Sequence, residues 1–307
     1  MKSNRNKTID FSLEDSKEYL NRCIKDSDLN KGQTDVTVCG DFFVAINNVL
    51  DKSIDLLIVD PPYNLNKSFH GFDFKRTENL EYMEYTRDWI QKVKPKLKDN
   101  ASVYVCCDWN TAIPLGVELE KHFILRNRIT WEREKGRGAK KNWKNSMEDI
   151  FFCTVSDEYT FNLEDVKQRR KVVAPYKENG KPKDWQQTSD GKYRNTCPSN
   201  FWGDISIPYW SMPENTAHPT QKPEKLIAKL ILASSNKNDV VLDIFAGSGT
   251  TGVVAKKLNR QYINIEKNPL YCAWGEYRLE KAEKDKSIQG YEDGVFWERN
   301  SQKLKGK

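Results

Sequence analysis

A glycine-rich turn late in the chain constrains the fold more than any other feature. The segment Asp243–Gly249 follows the apolar run Val240–Leu242, which is typical of a buried parallel strand. Beyond the next predicted strand, Tyr262–Ile265, the chain runs only to Lys307, which is too short for the further strands of a doubly wound sheet. We therefore expect the remaining strands to come from earlier in the chain.

Four earlier apolar runs supply candidate strands. They are Asp35–Cys39, Asp55–Val59, Ala101–Val105 and Ile150–Thr154, with helical or loop-like stretches between them. These runs and the late turn predict an α/β, Rossmann-like sheet that is circularly permuted, because its first strand comes late. Open sheets of this kind bind ligands at the carboxyl ends of their strands.

The late turn indicates an adenosine-containing cofactor. Gly247, Gly249 and Gly252 follow the dinucleotide spacing G-x-G-x-x-G, and Glu266 ends the next predicted strand. A carboxylate at that point can accept both hydroxyls of a ribose. An NAD-dependent dehydrogenase satisfies the same pattern, as does an ordinary tight turn between a strand and a helix, so the turn alone leaves three interpretations open.

A second segment, Asp60–Tyr63, follows the apolar run that ends at Val59. We interpret this segment as a site that activates the amino group of a nucleobase. Such an amino group is a poor nucleophile because its lone pair is delocalised into the ring. The Asp60 carboxylate and the Pro61 carbonyl are suitable acceptors for its hydrogens, and Pro61 and Pro62 stiffen the turn. Tyr63 offers a flat face for a base rotated out of duplex DNA. This segment has no role in hydride transfer, which disfavours a dehydrogenase, whereas a surface turn with a packed tyrosine stays possible.

The two segments, in this order, resemble those of the DNA amino-methyltransferases of the permuted beta group. Gly40-Asp41 resembles the acid of that family that contacts the cofactor adenine, and His218–Pro223 resembles the segment that leads into the helix before the cofactor strand. The resemblance implies a seven-stranded class I methyltransferase fold with an inserted target recognition region. It also implies S-adenosylmethionine as the cofactor, with its adenine on Asp41 and its ribose on Glu266.

The resemblance places the other cofactor contacts as well. It assigns the methionine end of the cofactor to residues of the late turn, Asp243, Phe245, Gly247 and Gly249, and its carboxylate to Thr220 and Lys222. We expect no metal site, because the three histidines show no ligand spacing with the cysteines. The seven cysteines include no C-x-x-C pair and are interpreted as reduced thiols.

The resemblance further implies methylation of adenine N6 in a short DNA sequence, within a restriction-modification system. In this family a leading Asp is more often associated with adenine and a leading Ser with cytosine, so Asp60 favours adenine while cytosine-N4 methylation stays open. A catalytically silent DNA-binding subunit of a modification complex is the alternative from another class. The expected partners are double-stranded DNA, a second copy of the chain as a homodimer, and a companion restriction endonuclease that acts on the same site.

Basic residues are concentrated in regions that we expect to contact DNA. The formal net charge is +6, which favours a polyanionic partner. The stretch Arg126–Lys144 holds eight basic residues, two acidic residues and two glycines. This composition predicts a mobile loop that contacts DNA phosphates, although a basic loop that contacts only solvent would have the same composition. Its candidate contacts are Arg133, Arg137, Lys140 and Lys141.

Two further segments are candidates for DNA contact. The region 155–210 is rich in Pro, Gly, Asn and Gln, and it is interpreted as the target recognition insertion, with Arg169, Arg170 and Arg194 as candidate contacts. The loop Asn64–Leu80 follows the catalytic segment and is interpreted as a clamp over DNA that carries Lys67 and His70. A loop whose aromatic side chains pack on the domain is an equal alternative.

The sequence suggests five successive regions. No apolar run approaches the length that spans a membrane, so we expect a cytoplasmic protein without membrane contact. The regions are a polar N-terminal arm (1–30), the catalytic half of the methyltransferase domain (31–154), the target recognition insertion (155–210), the cofactor-binding half (211–285) and a polar C-terminal tail (286–307).

Overall fold

The computed structural model of the chain describes residues 3–69, 72–74, 76–133, 140–173, 175–189 and 191–298. The α-helices of these residues are α1 (Lys17–Leu20), α2 (Phe42–Ala45), α3 (Asn79–Val93), α4 (Ala112–Leu119), α5 (Glu224–Ser234), α6 (Thr250–Lys257) and α7 (Pro269–Lys284). Short 3-10 helices lie at Glu14–Ser16, Asp26–Asp28, Ile46–Asn48, Lys94–Lys96 and Glu164–Val166.

The strands fall into a main sheet, a smaller sheet and two hairpins. In chain order they are β1 (Ile24–Lys25), β2 (Val36–Cys39), β3 (Ile54–Val59), β4 (Lys67–Phe69), β5 (Phe72–Phe74), β6 (Leu97–Cys107), β7 (Ile124–Glu132), β8 (Met147–Thr154), β9 (Gln168–Lys171), β10 (Lys177–Glu178), β11 (Lys181–Pro182), β12 (Gln186–Thr188), β13 (Gly191–Thr196), β14 (Phe201–Trp202), β15 (Val240–Asp243), β16 (Gln261–Glu266), β17 (Tyr291–Glu292) and β18 (Val295–Trp297).

The main sheet places the late strands at its centre. Its order in the described residues is β1-β2-β16-β15-β3-β6-β8-β7-β14, so β15 and β16 lie between β2 and β3. The strands from β1 through β6 in this order pair in parallel, and β8 runs antiparallel to both of its neighbours. Seven strands were expected. The two additional ones, β1 and β14, are two-residue strands at the edges.

Both faces of the main sheet are buried, which explains the continuous apolar runs of its strands. In β3, Leu56 and Ile58 belong to the cluster that includes α5 and α6, whereas Leu57 and Val59 belong to the cluster of α3 and α4. This alternation follows from the two-residue period of a strand. The sheet therefore holds the end of β3 and the end of β15 rigidly side by side, as their parallel pairing shows.

Helix α5 is buried along its whole length, although it carries two lysines. Lys225 Nζ lies 2.7 Å from Asp204 Oδ2, and Lys229 Nζ lies 3.0 Å from Asp204 Oδ1. The ammonium group of Lys229 also lies over the rings of Trp202 and Phe296. Burial lowers the pKa of Lys229 to about 8. The carboxylate and the rings together compensate for the removal of this cation from water.

The smaller sheet combines the insertion with the end of the chain. Its order is β12-β13-β9-β18-β17, and Phe296 of β18 is fully buried. The residues Tyr291–Trp297 are thus part of the fold, in contrast to the polar tail that we expected from residue 286 onward. The sequence pattern was misleading because these strands are very short and are separated by polar residues. Strand β14, although inside the predicted insertion, pairs with β7 of the main sheet.

One further expectation is corrected by the structure, and a question about the N-terminal arm is answered. The first part of the basic stretch, 126–132, is not a loop but lies in β7, where Arg126 donates to Thr154 and to the carbonyl of Ser156. The polar arm is attached to the core, because β1 extends the sheet and Leu29 is buried. Across the described ranges, no helix has the length and apolar character needed to cross a membrane.

Candidate active site

The ends of β2, β3, β15 and β16 surround a cavity of about 400 Å³. The catalytic segment and the glycine-rich turn, which are far apart in sequence, both line it. The lining includes the predicted residues Asp41, Asp60, Pro61, Pro62, Tyr63, Thr220, Lys222, Asp243, Phe245, Gly247 and Glu266, together with Phe43, Tyr85, Cys106, His218 and Tyr271. The two segments thus lie at one edge of the sheet, where β3 and β15 end side by side.

The catalytic turn is held by a network of polar side chains. The Tyr63 hydroxyl donates to Asp60 Oδ1 at 2.8 Å, and the Lys222 ammonium group donates to Asp60 Oδ2 at 2.6 Å. The Tyr82 hydroxyl donates to the carbonyl of Pro62 at 3.2 Å and ties the turn to α3. The Asp60 carboxylate is therefore fixed in position at the carboxyl end of β3.

Lys222, which we predicted to contact the methionine carboxylate of the cofactor, lies against the catalytic segment. Its ammonium group lies 2.6 Å from Asp60 and 3.4 Å from Glu148 Oε2, and 7% of its side chain is exposed. Burial opposes the charged form, but the Asp60 and Glu148 carboxylates outweigh it and raise the pKa of Lys222. Lys222 is therefore a cation at physiological pH.

Glu148 is a residue of this network that the sequence analysis missed. It lies in β8 with 5% of its side chain exposed, and its Oε2 is 3.4 Å from the Tyr63 hydroxyl. Its other oxygen accepts from Arg133, which we had predicted to contact DNA. One sequence feature could have indicated Glu148. The acidic pair Glu148-Asp149 stands at the start of an apolar strand, and a charge that is buried there requires a partner.

The glycine-rich turn is stabilised by Asp243, which accepts from both sides of the turn. Its Oδ1 accepts from the Phe245 backbone N–H at 3.0 Å, and its Oδ2 accepts from the Thr251 hydroxyl at 2.5 Å. Burial raises the pKa of Asp243 to about 7. Asp243 therefore fixes the turn that carries Gly247 and Gly249.

Glu266 and Asp41 bring two further carboxyl groups to the cavity. Glu266 Oε2 accepts from Gly247 N–H at 2.8 Å, and its Oε1 accepts from Asn268 N–H at 2.7 Å. Asp41 accepts from Phe43 N–H, and its Oδ2 lies 3.0 Å from Lys267 Nζ. Burial tends to raise the pKa of Asp41, but the hydrogen bonds from Lys267 and Phe43 lower it below its ordinary value. Asp41 is thus an ionised acceptor at the cavity edge.

The glycines of the turn are required by close approaches. Gly247 has φ +52°, and a Cβ there would lie 3.0 Å from His218 Nε2. Gly249 has φ +74° and would place its Cβ 3.0 Å from Gly275 Cα, where α6 begins. A side chain at either position is therefore strained as well as crowded.

We expect the pH dependence of stability to change in Glu266→Gln. Burial raises the pKa of Glu266 from 4.5 to about 7, so between these values the folded chain binds a proton that the unfolded chain does not. The free energy of unfolding then falls as the pH rises across this window, by at most about 3 kcal/mol from this group. Urea unfolding at a series of pH values gives the free energy of unfolding as a function of pH, and this curve should be flatter for Glu266→Gln than for the wild type. Glu14→Gln, which changes an exposed residue, is the control and should keep the wild-type curve. Parallel curves for the wild type and Glu266→Gln would contradict this assignment.

The candidate DNA contacts lie in several places. In the smaller sheet, Arg170 pairs in register with Arg194, and Arg169 pairs with Asn195. Lys140 and Lys141 are exposed in the loop before β8. Lys67 belongs to β4, whereas Arg137 and His70 lie outside the described residues. Arg133 is paired with the buried Glu148.

Two solved structures share the fold of this chain. The M1.HpyAVI complex with SAM aligns with a TM-score of 0.52 at 24% identity, covering 79% of this chain and 98% of that chain. The cytosine-N4-specific PvuII DNA methyltransferase aligns with a TM-score of 0.60 at 20% identity, covering 83% and 90%. The fold is that of a class I methyltransferase, with a central parallel sheet.

The sequence comparisons identify the family. The model of the N6/N4 DNA methylase family matches residues 54–276. The Type II methyltransferase M.HpaI of Haemophilus parainfluenzae is 32% identical over 246 residues, which cover 79% of this chain and 73% of the relative. The DNA adenine methyltransferase YhdJ of Escherichia coli (strain K12) is 33% identical over 251 residues, covering 79% and 82%. The chain belongs to the N6/N4 DNA methylase family.

Proposed function

We propose that this chain transfers a methyl group from S-adenosylmethionine to N6 of adenine within a short DNA sequence. One observation carries the proposal: the Asp60–Tyr63 turn and the glycine-rich turn line the same cavity of about 400 Å³. An acceptor for an amino group and a cradle for a nucleoside cofactor therefore face each other. Proximity and orientation then supply much of the catalysis.

The residues at the cavity fit the cofactor. Asp41 and Glu266 present acceptors suited to the amino and hydroxyl groups of a nucleoside, and Phe245 and Tyr271 add aromatic surface. The absence of a side chain at Gly247 leaves the backbone of the turn accessible from the cavity. The methionine end is assigned to the turn, from Asp243 to Gly249, and to Thr220. Bound S-adenosylmethionine would supply a methyl group that is already activated by its sulfonium.

The catalytic turn prepares the amino nitrogen for attack. The Asp60 carboxylate and the Pro61 carbonyl accept its two hydrogens, which favours a pyramidal nitrogen with an available lone pair. As the new N–C bond forms at the expense of the bond between the methyl group and the sulfonium sulfur, positive charge moves onto the nitrogen next to the Asp60 carboxylate, which would stabilise it and can take the released proton. The target base must first rotate out of the duplex, and Tyr63 is the aromatic surface that we assign to it.

Adenine is preferred over cytosine because Asp60 leads the catalytic segment. A relative described as a DNA adenine methyltransferase is 33% identical over most of its length, whereas the cytosine-N4-specific structure is 20% identical. Cytosine-N4 methylation is the second candidate, since its amino group poses the same chemical problem. We also infer that the sheet is a circular permutation of the class I sheet. Strands β15 and β16 are the last strands of the main sheet in chain order, yet they lie between β2 and β3.

The proposal is tested by incubating the protein with unmethylated bacterial genomic DNA and labelled S-adenosylmethionine, followed by digestion to nucleosides. We expect the label in N6-methyladenine. Label in N4-methylcytosine would move the assignment to the second candidate. A complete absence of labelled nucleosides would contradict the proposed activity and favour a silent DNA-binding subunit.

We expect Arg169→Ala to weaken DNA binding in a salt-dependent way. Arg169 lies over the Trp297 ring at 5.4 Å, and Tyr193 packs edge-on against the same ring, so this face of the smaller sheet joins a cation to aromatic surface. Loss of one phosphate contact should reduce the slope of log affinity against log salt by about 1. Binding of a labelled duplex at several salt concentrations measures this slope. Arg22→Ala, which removes an arginine paired with Glu280 of α7, is the control, and equal slopes in both variants would contradict the contact.

Three broader assignments complete the proposal. We propose that the protein acts in a restriction-modification system with an endonuclease of the same specificity, that it is cytoplasmic, and that it forms a homodimer. Elution as a monomer at high protein concentration would contradict the dimer. The five-region division of the chain is retained as a proposal, with Tyr291–Trp297 now included in the smaller sheet.

A further inference from the structure

Both oxygens of the Asp60 carboxylate already accept hydrogen bonds within the protein. Oδ1 accepts from the Tyr63 hydroxyl at 2.8 Å, and Oδ2 accepts from the Lys222 ammonium group at 2.6 Å. An amino group that is to use Asp60 as an acceptor competes with these two donors. A carboxylate oxygen that is paired with an ammonium group at this distance is also a weaker acceptor for a neutral N–H.

Glu148 offers both donors a second acceptor. Its Oε2 lies 3.4 Å from the Tyr63 hydroxyl and 3.4 Å from Lys222 Nζ. A hydrogen bond of ordinary length requires each donor to move by less than about 1 Å. Lys222 and Tyr63 can therefore turn from Asp60 to Glu148 without rearrangement of the backbone.

The surroundings of Glu148 keep it in place for this exchange. Its Oε1 is paired with Arg133, and it lies in β8, which is hydrogen-bonded on both sides by β6 and β7. The cluster contains two carboxylates, Asp60 and Glu148, and two cations, Lys222 and Arg133. A shift of Lys222 between the carboxylates leaves this balance unchanged, and Asp60, which loses its ammonium partner, keeps 23% of its side chain exposed.

We propose that Glu148 is a positioning residue that withdraws Lys222 and the Tyr63 hydroxyl from Asp60 when the target amino group arrives. This inference rests on the proposed methyl transfer and deepens it. The resting network holds the Asp60 carboxylate in position, and the exchange makes its oxygens available to the amino hydrogens. Glu148 acts through Lys222 and does not line the cavity itself.

A double-variant cycle tests the proposal. Methyl transfer to DNA is measured in a single turnover, at saturating cofactor and DNA, for the wild type, Glu148→Gln, Lys222→Gln and the double variant. Without the negative charge at position 148, Lys222 stays on Asp60, and we expect transfer to slow by about 10- to 100-fold. In the Lys222→Gln background the same change should slow transfer by only a few-fold, because the competing cation is gone and only the neutral Tyr63 hydroxyl remains to be withdrawn.

Cofactor affinity, measured by calorimetric titration for each protein, shows that the site is folded. If Glu148→Gln binds no cofactor, Glu148→Asp, which keeps the charge but shortens the reach, takes its place in the cycle with the same expected dependence on Lys222. An equal slowing in both backgrounds, or a wild-type rate in Glu148→Gln, would overturn the role of Glu148 alone. A wild-type protein that transfers no methyl group would instead contradict the proposed function, and this inference with it.

Discussion

Asp60→Ala is expected to lower the rate of methyl transfer by about 10²- to 10³-fold while cofactor affinity stays within a few-fold of the wild type. The Asp60 carboxylate is the charged acceptor at the reacting nitrogen, and its loss removes stabilisation at the point where positive charge develops. The effect should appear in the single-turnover rate at saturating cofactor and DNA. Because Lys222 retains Glu148 as a partner at 3.4 Å, the variant keeps its buried cation paired.

Two further variants sharpen this test. Asp60→Asn preserves volume but replaces the anion with a neutral amide, so a similar loss of rate would assign the effect to charge. Asp99→Ala removes an exposed carboxylate at the other end of the main sheet, where Asp99 pairs with Lys52, and should leave the rate unchanged. Transfer by Asp60→Ala at the wild-type rate would refute the assigned role of Asp60.

Gly249→Ala is expected to destabilise the fold by about 2–5 kcal/mol. A residue with a Cβ in the left-handed conformation loses about 1–2 kcal/mol, and the contact with Gly275 Cα at 3.0 Å adds an overpacking penalty of about 1–3 kcal/mol. The midpoint of thermal unfolding should fall by roughly 3–8 °C in a chain of this length. Cofactor affinity should fall as well, because Gly249 caps α6 between Ser248 and Thr250, which both line the cavity.

Gly32→Ala is the matched control for this prediction. Gly32 also has a left-handed φ of +81°, but a Cβ there meets nothing within 4 Å. It should therefore show the conformational penalty without the overpacking penalty, and leave cofactor binding unchanged. Equal shifts in the unfolding midpoint of the two variants would show that the approach of α6 to α7 is not tight.

Much of the main sheet could be predicted from local sequence patterns. The six predicted strands correspond to β2, β3, β6, β8, β15 and β16, because a strand buried on both faces needs an uninterrupted apolar run. Strand β7 was missed because Arg126 and Arg128 break this pattern. Their charges are accommodated by ion pairs with Asp157 and Asp149, partners that are distant in sequence.

The active-site residues that lie at the ends of predicted strands could be identified from the sequence. Asp60, Tyr63 and Glu266 each follow a strand or end one, so topology brings them together. The partner of Lys222 could not be predicted, because it depends on the distance between loops from opposite ends of the chain. Glu148 was missed for the same reason, since nothing near it in sequence indicates what its buried charge contacts.

The most direct test of the account is to sequence DNA from a methylation-free bacterial host that expresses the protein, by a long-read method that detects modified bases. The account predicts N6-methyladenine at one short sequence in the host with the wild-type protein, and none in the host with Asp60→Ala. Unmodified DNA with the wild-type protein, or the same modification pattern with Asp60→Ala, would contradict it.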